Sequence, residues 1–120
     1  MIVMLSAEMN SSGVWDYEKD IDLSLDQVPL PESLISEIVK WRNAYEKYNA
    51  LPDLSIMEVK KRVDELDLLG IDIIRRALNH WGGTSVSKFY YYSVARDKLL
   101  YVLYEDGRER WMLPSTAADL

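Results

Sequence analysis

The sequence predicts an α+β fold, two helices packed on a small antiparallel sheet in the order β-α-α-β-β-β. Three observations carry that prediction. Apolar residues recur at spacings of three and four between about residues 31 and 81, the helical period. From Val86 onward the period changes to two, and β-branched and aromatic residues dominate. The length of 120 residues suits a single domain spanning 1–120, and a hydrophobic content of 48% is ample for one core.

Each element follows from local chemistry. Residues 2–9 read as the first strand. Gly13 then opens a polar, acidic loop that runs to Val28-Pro29-Leu30-Pro31. Within it Ile21, Leu23 and Leu25 alternate with Asp22, Ser24 and Asp26, a pattern that allows a short edge strand. Pro31 fits the first turn of a helix, where its missing N–H costs nothing. That helix spans 31–48 along the stripe Leu34, Ile38, Trp41, Tyr45 and Tyr48, widened by Ile35 and Val39. Asn49 and Pro52 end it.

The second helix starts at Ser55-Ile56-Met57-Glu58, a capping box, with Leu54 and Val59 placed for the accompanying hydrophobic staple. Val59, Val63, Leu66, Leu69, Ile73, Ile74, Ala77, Leu78 and Trp81 form its apolar face, and Gly82-Gly83 stops it. Gly70 costs about 1 kcal/mol against Ala in a helix interior, so it marks either a break or a close approach by another element. Strands over 86–94 and 99–104 flank a turn at Ala95-Arg96-Asp97-Lys98. Asp106-Gly107 is a hairpin signal that sets a last strand over 109–113, and the tail from Pro114 reads as frayed.

Composition removes much chemistry. The chain has no Cys, which excludes disulfides, a Cys-ligated zinc, an Fe–S cluster and a thiol nucleophile. The single histidine, His80, excludes a multi-histidine metal site and sits at a helix end, where a cation suits the dipole. No orienting carboxylate accompanies it at short range, so an acid-pair hydrolase using His80 is the weakest reading. Asp16, Asp20, Asp22 and Asp26 lack the central Gly and terminal Glu of a calcium loop. Gly82-Gly83-Thr84-Ser85 lacks the lysine of a phosphate loop. No catalytic residue, cofactor or metal is expected. Lys60-Lys61-Arg62 and Arg75-Arg76 lie close to Asp64, Glu65, Asp67 and Asp72, which reads as a salt-bridged, solvated helix face.

Charge and aromatic content point to a protein partner. The net charge of −6 disfavours direct nucleic-acid binding, and it lies wholly within residues 1–54. Its densest stretch is Asp16 to Asp26, where five acids face only Lys19. Such a segment attracts a basic surface and speeds encounter with it. Of thirteen aromatics, eight are Tyr and four Trp, which suits half-buried and interface positions better than a dry core. Trp15 and Tyr17 bracket Asp16, so Trp15, Asp16, Tyr17, Glu18, Asp20, Asp22 and Asp26 form the candidate binding set. Tyr90-Tyr91-Tyr92, with Tyr101 and Tyr104 on the next strand, forms a second candidate surface and allows a homodimer. No apolar run approaches the roughly 20 residues a bilayer demands, so no membrane partner is expected. Met1-Ile2-Val3-Met4-Leu5 lacks a positive flank and Glu8 interrupts it, which reads as a strand, not a signal peptide, and makes a cytoplasmic location the expectation.

The order of features also resembles a family. Ser6-Ala7-Glu8 after an apolar strand, Trp15-Asp16, an acidic loop, Val28-Pro29-Leu30-Pro31 and the helix from Ile35 to Trp41 follow in turn. Gly70 and Ile73-Ile74-Arg75-Arg76-Ala77-Leu78 come later. Over about residues 1–80 this is similar to small, acidic, cysteine-free immunity proteins of contact-dependent and other polymorphic bacterial toxin systems; the tyrosine-rich C-terminal hairpin departs from the pattern. The resemblance implies a non-enzymatic antitoxin that binds the C-terminal domain of a cognate toxin. It sets the acids from Asp16 to Asp26 against toxin Lys and Arg, with Trp15 and Tyr17 as desolvated anchors. An alternative is a non-catalytic adaptor that dimerises through its tyrosine-bearing sheet.

Overall fold

Two helices cover one face of a six-stranded mixed sheet in the computed structural model, which describes residues 1–49, 57–81 and 86–112. The order is β-β-β-α-α-β-β-β, so the α+β class holds while the sheet is larger than the sequence pattern indicates. Its strands are β1 (Ile2–Leu5), β2 (Val14–Asp16), β3 (Ile21–Asp22), β4 (Lys88–Ser93), β5 (Lys98–Tyr104) and β6 (Glu109–Trp111). Helices α1 (Glu32–Asn49) and α2 (Met57–Trp81) lie between β3 and β4 in the chain. The capping box at Ser55, the glycine stop at Gly82-Gly83 and the tail from Pro114 fall outside the described residues.

Across the sheet the strands run β3-β2-β1-β4-β5-β6. The expectation of a purely antiparallel sheet is corrected at its centre, where β1 and β4 pair in parallel. Two helices separate these strands, and a long crossover of that kind can return the chain in the same direction. The other correction is β2. Val14-Trp15-Asp16 pairs antiparallel with β1 inside a stretch that reads as loop, and β3 then pairs with β2.

Register sorts the side chains onto two faces, because neighbours along a strand alternate. Val3, Leu5, Val14, Phe89, Tyr91, Tyr101 and Leu103 face the helices and join Ile38, Trp41, Ile73, Ile74 and Trp81 in one core. Between Tyr91 and Tyr92 the β4–β5 register shifts, leaving Leu100 unpaired. This bulge lets two consecutive β5 residues, Leu100 and Tyr101, both be buried in the core. Tyr101 therefore belongs to the core and not to an exposed tyrosine patch.

α2 is unbroken through Gly70, which resolves the choice at that residue in favour of close approach. A Cβ there would lie 2.3 Å from Cε1 of Tyr91 and 3.1 Å from Nε1 of Trp41. Charged contacts fasten the periphery. Lys60–Asp64, Arg62–Glu65 and Arg76–Asp72 form the expected salt-bridged helix face. Arg76 also reaches α1, donating from its two terminal guanidinium nitrogens to Glu37 at 2.5 and 2.8 Å, which holds the Glu37 carboxyl below its ordinary range. Arg75 reaches Glu109 at 2.6 Å and lies 5.5 Å from the ring centres of both Tyr101 and Trp111, tying β6 to α2.

Candidate functional site

The helices leave the other sheet face open, and the strand register writes its surface. One row crosses all six strands as Asp22, Trp15, Met4, Tyr90, Val102 and Arg110. The row begins on a carboxylate, passes through apolar and aromatic groups, and ends on a guanidinium. Tyr17 follows the same alternation, outward after inward Asp16, and its N–H donates to the Ile2 carbonyl at 2.8 Å. Its ring is half exposed and packs edge-on against Tyr90, with centroids 4.8 Å apart and planes at 74°. Trp15 is partly buried and donates Nε1–H to the Ser6 carbonyl at 3.3 Å. Tyr92 lies further along and donates its hydroxyl to Asp97, a bond that pushes the phenol up to about 12.

One end of this face is acidic, and the other mixes bases with exposed Glu105 and Asp106, the latter paired with Arg108 at 2.7 Å. Glu18, Asp20, Asp22 and Asp26 lie exposed at or beside the β2–β3 edge. At the opposite end Lys88 and Arg108 approach the Tyr104 ring, at 5.8 and 4.8 Å from its centre, beside exposed Arg110.

The predicted binding residues do not all lie free on this surface. Asp16 faces inward, is only 6% exposed, and accepts the Lys19 N–H at 3.2 Å, which makes it a turn-forming group. Asp22 holds the preceding loop, accepting the Ser12 hydroxyl at 2.5 Å and its N–H at 3.0 Å. Glu18 lies 3.5 Å from the Met1 amine. Asp20 sits at a turn with φ +55°, and among the described residues neither it nor Asp26 has an ion-pair partner. What the structure joins are Trp15, Tyr17 and Asp22 from the acidic segment with Tyr90 and Tyr92 from the tyrosine run. In the sequence these residues stand in two separate segments, more than 65 positions apart. Met4 and Glu8 reach this surface through the parallel β1–β4 pairing, which has no local sequence signal, while Leu99 and Asp97 are brought to it by the β4–β5 hairpin.

A second cluster of titratable groups lies behind the sheet. Asp67 is 4% exposed, contrary to its place in a solvated face. Its Oδ1 accepts the hydroxyls of Tyr45 at 2.9 Å and Tyr91 at 2.6 Å. Its Oδ2 accepts the Ser93 hydroxyl at 3.0 Å and Arg96 Nε–H at 3.2 Å. Arg96 also pairs with Asp64. Burial raises the Asp67 carboxyl above its ordinary value, against the opposing pull of the Tyr91, Tyr45 and Ser93 hydrogen bonds. The phenols of Tyr45 and Tyr91 are raised as well, by burial first and by the Asp67 charge second. Both carboxylate oxygens are saturated by protein donors, so the cluster works as a clamp between α1, α2 and β4 and leaves no acceptor for a substrate. His80 is exposed in the last turn of α2. Among the described residues no helix is long and apolar enough to cross a membrane, and no three His, Asp or Glu side chains are placed to hold a metal ion. Set against known proteins, the chain matches no family model, no curated protein and no solved structure.

Proposed function

We propose that this chain is an immunity protein: a cytoplasmic, non-enzymatic antitoxin that binds the C-terminal domain of a cognate bacterial toxin, a nuclease, through its acidic and aromatic surface. The observation that carries this reading is the open sheet face, where Tyr17 packs on Tyr90 beside the acids of the β2–β3 edge. Half-buried Tyr and Trp on a fixed sheet provide contact area at little entropic cost, and truncating such anchors often costs about 2 kcal/mol or more. Negative charge at the rim steers a basic nuclease surface inward and raises the association rate. Asp20 and Asp26, which have no ion-pair partner among the described residues, serve that purpose.

The reading is tested with the toxin domain encoded beside this chain. Replacing Asp20, Asp22 and Asp26 together by Asn slows association at low salt by about tenfold and leaves dissociation nearly unchanged. An unaltered on-rate removes the acidic edge from the interface. Tyr17→Ala acts instead on dissociation, weakening the complex by about 30-fold.

A second reading has its own observation. The cross-strand row runs from Asp22 to Arg110, so two copies placed face to face and antiparallel set acid against base at both ends. That arrangement is a homodimer of an adaptor protein. Sedimentation at micromolar concentration separates the two, since a strict monomer ends the second reading.

A further inference from the structure

The open face is not flat. Met4, Glu8, Tyr17, Tyr90, Tyr92 and Leu99 surround a cavity of about 320 Å³, near the lower end of the range for ligand sites. Three of the six are tyrosines, one is a carboxylate, and none is basic. Glu8 Oε2 accepts the Ser6 hydroxyl at 3.2 Å, and among the described residues Glu8 makes no ion pair. Asp97 adds a second carboxylate at the rim, bound to the Tyr92 hydroxyl and likewise without a cation among the described residues.

This lining discriminates between occupants. Aromatic faces carry negative quadrupole density, so a cation over tyrosine is attracted and an anion repelled. A purely apolar occupant would cover Glu8 and leave its charge desolvated without a partner. A cation on a long apolar stem satisfies both parts, because the stem lies on Met4 and Leu99 while the head reaches the rings and the carboxylate. Guanidinium fits better than ammonium. It is planar, it stacks on aromatic faces, and it can present two N–H groups to one carboxylate.

We infer that this cavity is a receptor for an arginine side chain of a protein partner, held against the rings of Tyr17, Tyr90 and Tyr92 that line it and paired with Glu8. The inference deepens the proposed antitoxin reading and rests on it for the source of the arginine. The chemistry of the cavity is tested without any toxin.

The full chain is titrated with a short capped peptide carrying one arginine between glycines, followed by NMR of the tyrosine rings. Saturable shifts of Tyr17, Tyr90 and Tyr92 are expected, with affinity about tenfold lower when citrulline replaces arginine. Glu8→Gln weakens the arginine peptide by a similar factor while the urea midpoint stays unchanged. Equal binding of the citrulline peptide overturns the proposal, as does tighter binding of a lysine peptide. Absence of saturable shifts at millimolar arginine peptide overturns it too. Such a failure leaves toxin neutralisation standing, whereas a positive titration with no inhibition of the toxin sinks the antitoxin reading alone.

Discussion

Gly70→Ala destabilises the protein by about 3 kcal/mol, although alanine improves intrinsic helix propensity by about 1 kcal/mol. The added Cβ falls 2.3 Å from Cε1 and 3.0 Å from Cζ of Tyr91, and 3.1 Å from Nε1 of Trp41. Neither ring has room to move. Tyr91 is 0% exposed with its hydroxyl bonded to Asp67, and Trp41 is 1% exposed with its Nε1–H donated to the Leu66 carbonyl at 2.9 Å. Relief therefore means either shifting α2 off the sheet or breaking one of two buried hydrogen bonds, each a loss of about 1 kcal/mol or more. Urea unfolding measures the outcome. A midpoint equal to or above that of the parent chain shows that α2 lies further from β4 than this contact requires.

Gly70 also illustrates what a sequence carries and what it withholds. Helical spacing places both helices, because Trp41, Tyr45 and Ile38 on α1 and Ile73, Ile74 and Trp81 on α2 must share faces to be buried. The Asp106-Gly107 turn likewise sets β6, with Gly107 at φ +91°. The parallel β1–β4 pair leaves no local mark, since it depends on where two helices deliver the chain. β2 is hidden for a related reason. Three residues in a charged segment show no period, and only the ladder to β1 makes Trp15 face outward and Asp16 inward.

The candidate surface inherits these limits. Trp15, Tyr17 and the alternating tyrosines were legible as interface residues by type, but their meeting on one face follows from the order β2-β1-β4. Tyr101 faces the core because it pairs with inward Tyr91, a register that no local pattern states. Asp67 is a different case, because its signal was present. Val63, Asp67, Gly70, Ile74, Ala77 and Trp81 follow the spacings four, three, four, three and four along α2. A carboxylate on the core stripe of a helix cannot be solvated, and it requires buried donors.

Removing that carboxylate costs more than filling the space at Gly70. Asp67→Ala lowers stability at neutral pH by about 4 kcal/mol, because it takes the carboxylate acceptor from the buried hydroxyls of Tyr45, Tyr91 and Ser93 and leaves Arg96 with Asp64 alone. Asp67→Asn keeps the shape and costs less, about 2 kcal/mol, since the amide oxygen still accepts from Tyr45 and Tyr91 while its NH₂ opposes Arg96. The pH dependence gives the sharper test. Burial raises the folded-state pKa of Asp67 above the ordinary value of 3.8. Between the unfolded and folded values the native chain holds a proton that the unfolded chain has released. The contribution is therefore greatest below the unfolded pKa and declines as pH rises through the folded one. Asn does not titrate, and the lowered carboxyls of Glu37 and Glu109 act equally in both proteins. The stability advantage of the parent chain over Asp67→Asn should accordingly shrink from acid toward neutral pH. Urea unfolding of the pair across that range reads it directly, and an advantage that grows with pH means that the donors around Asp67 outweigh its burial.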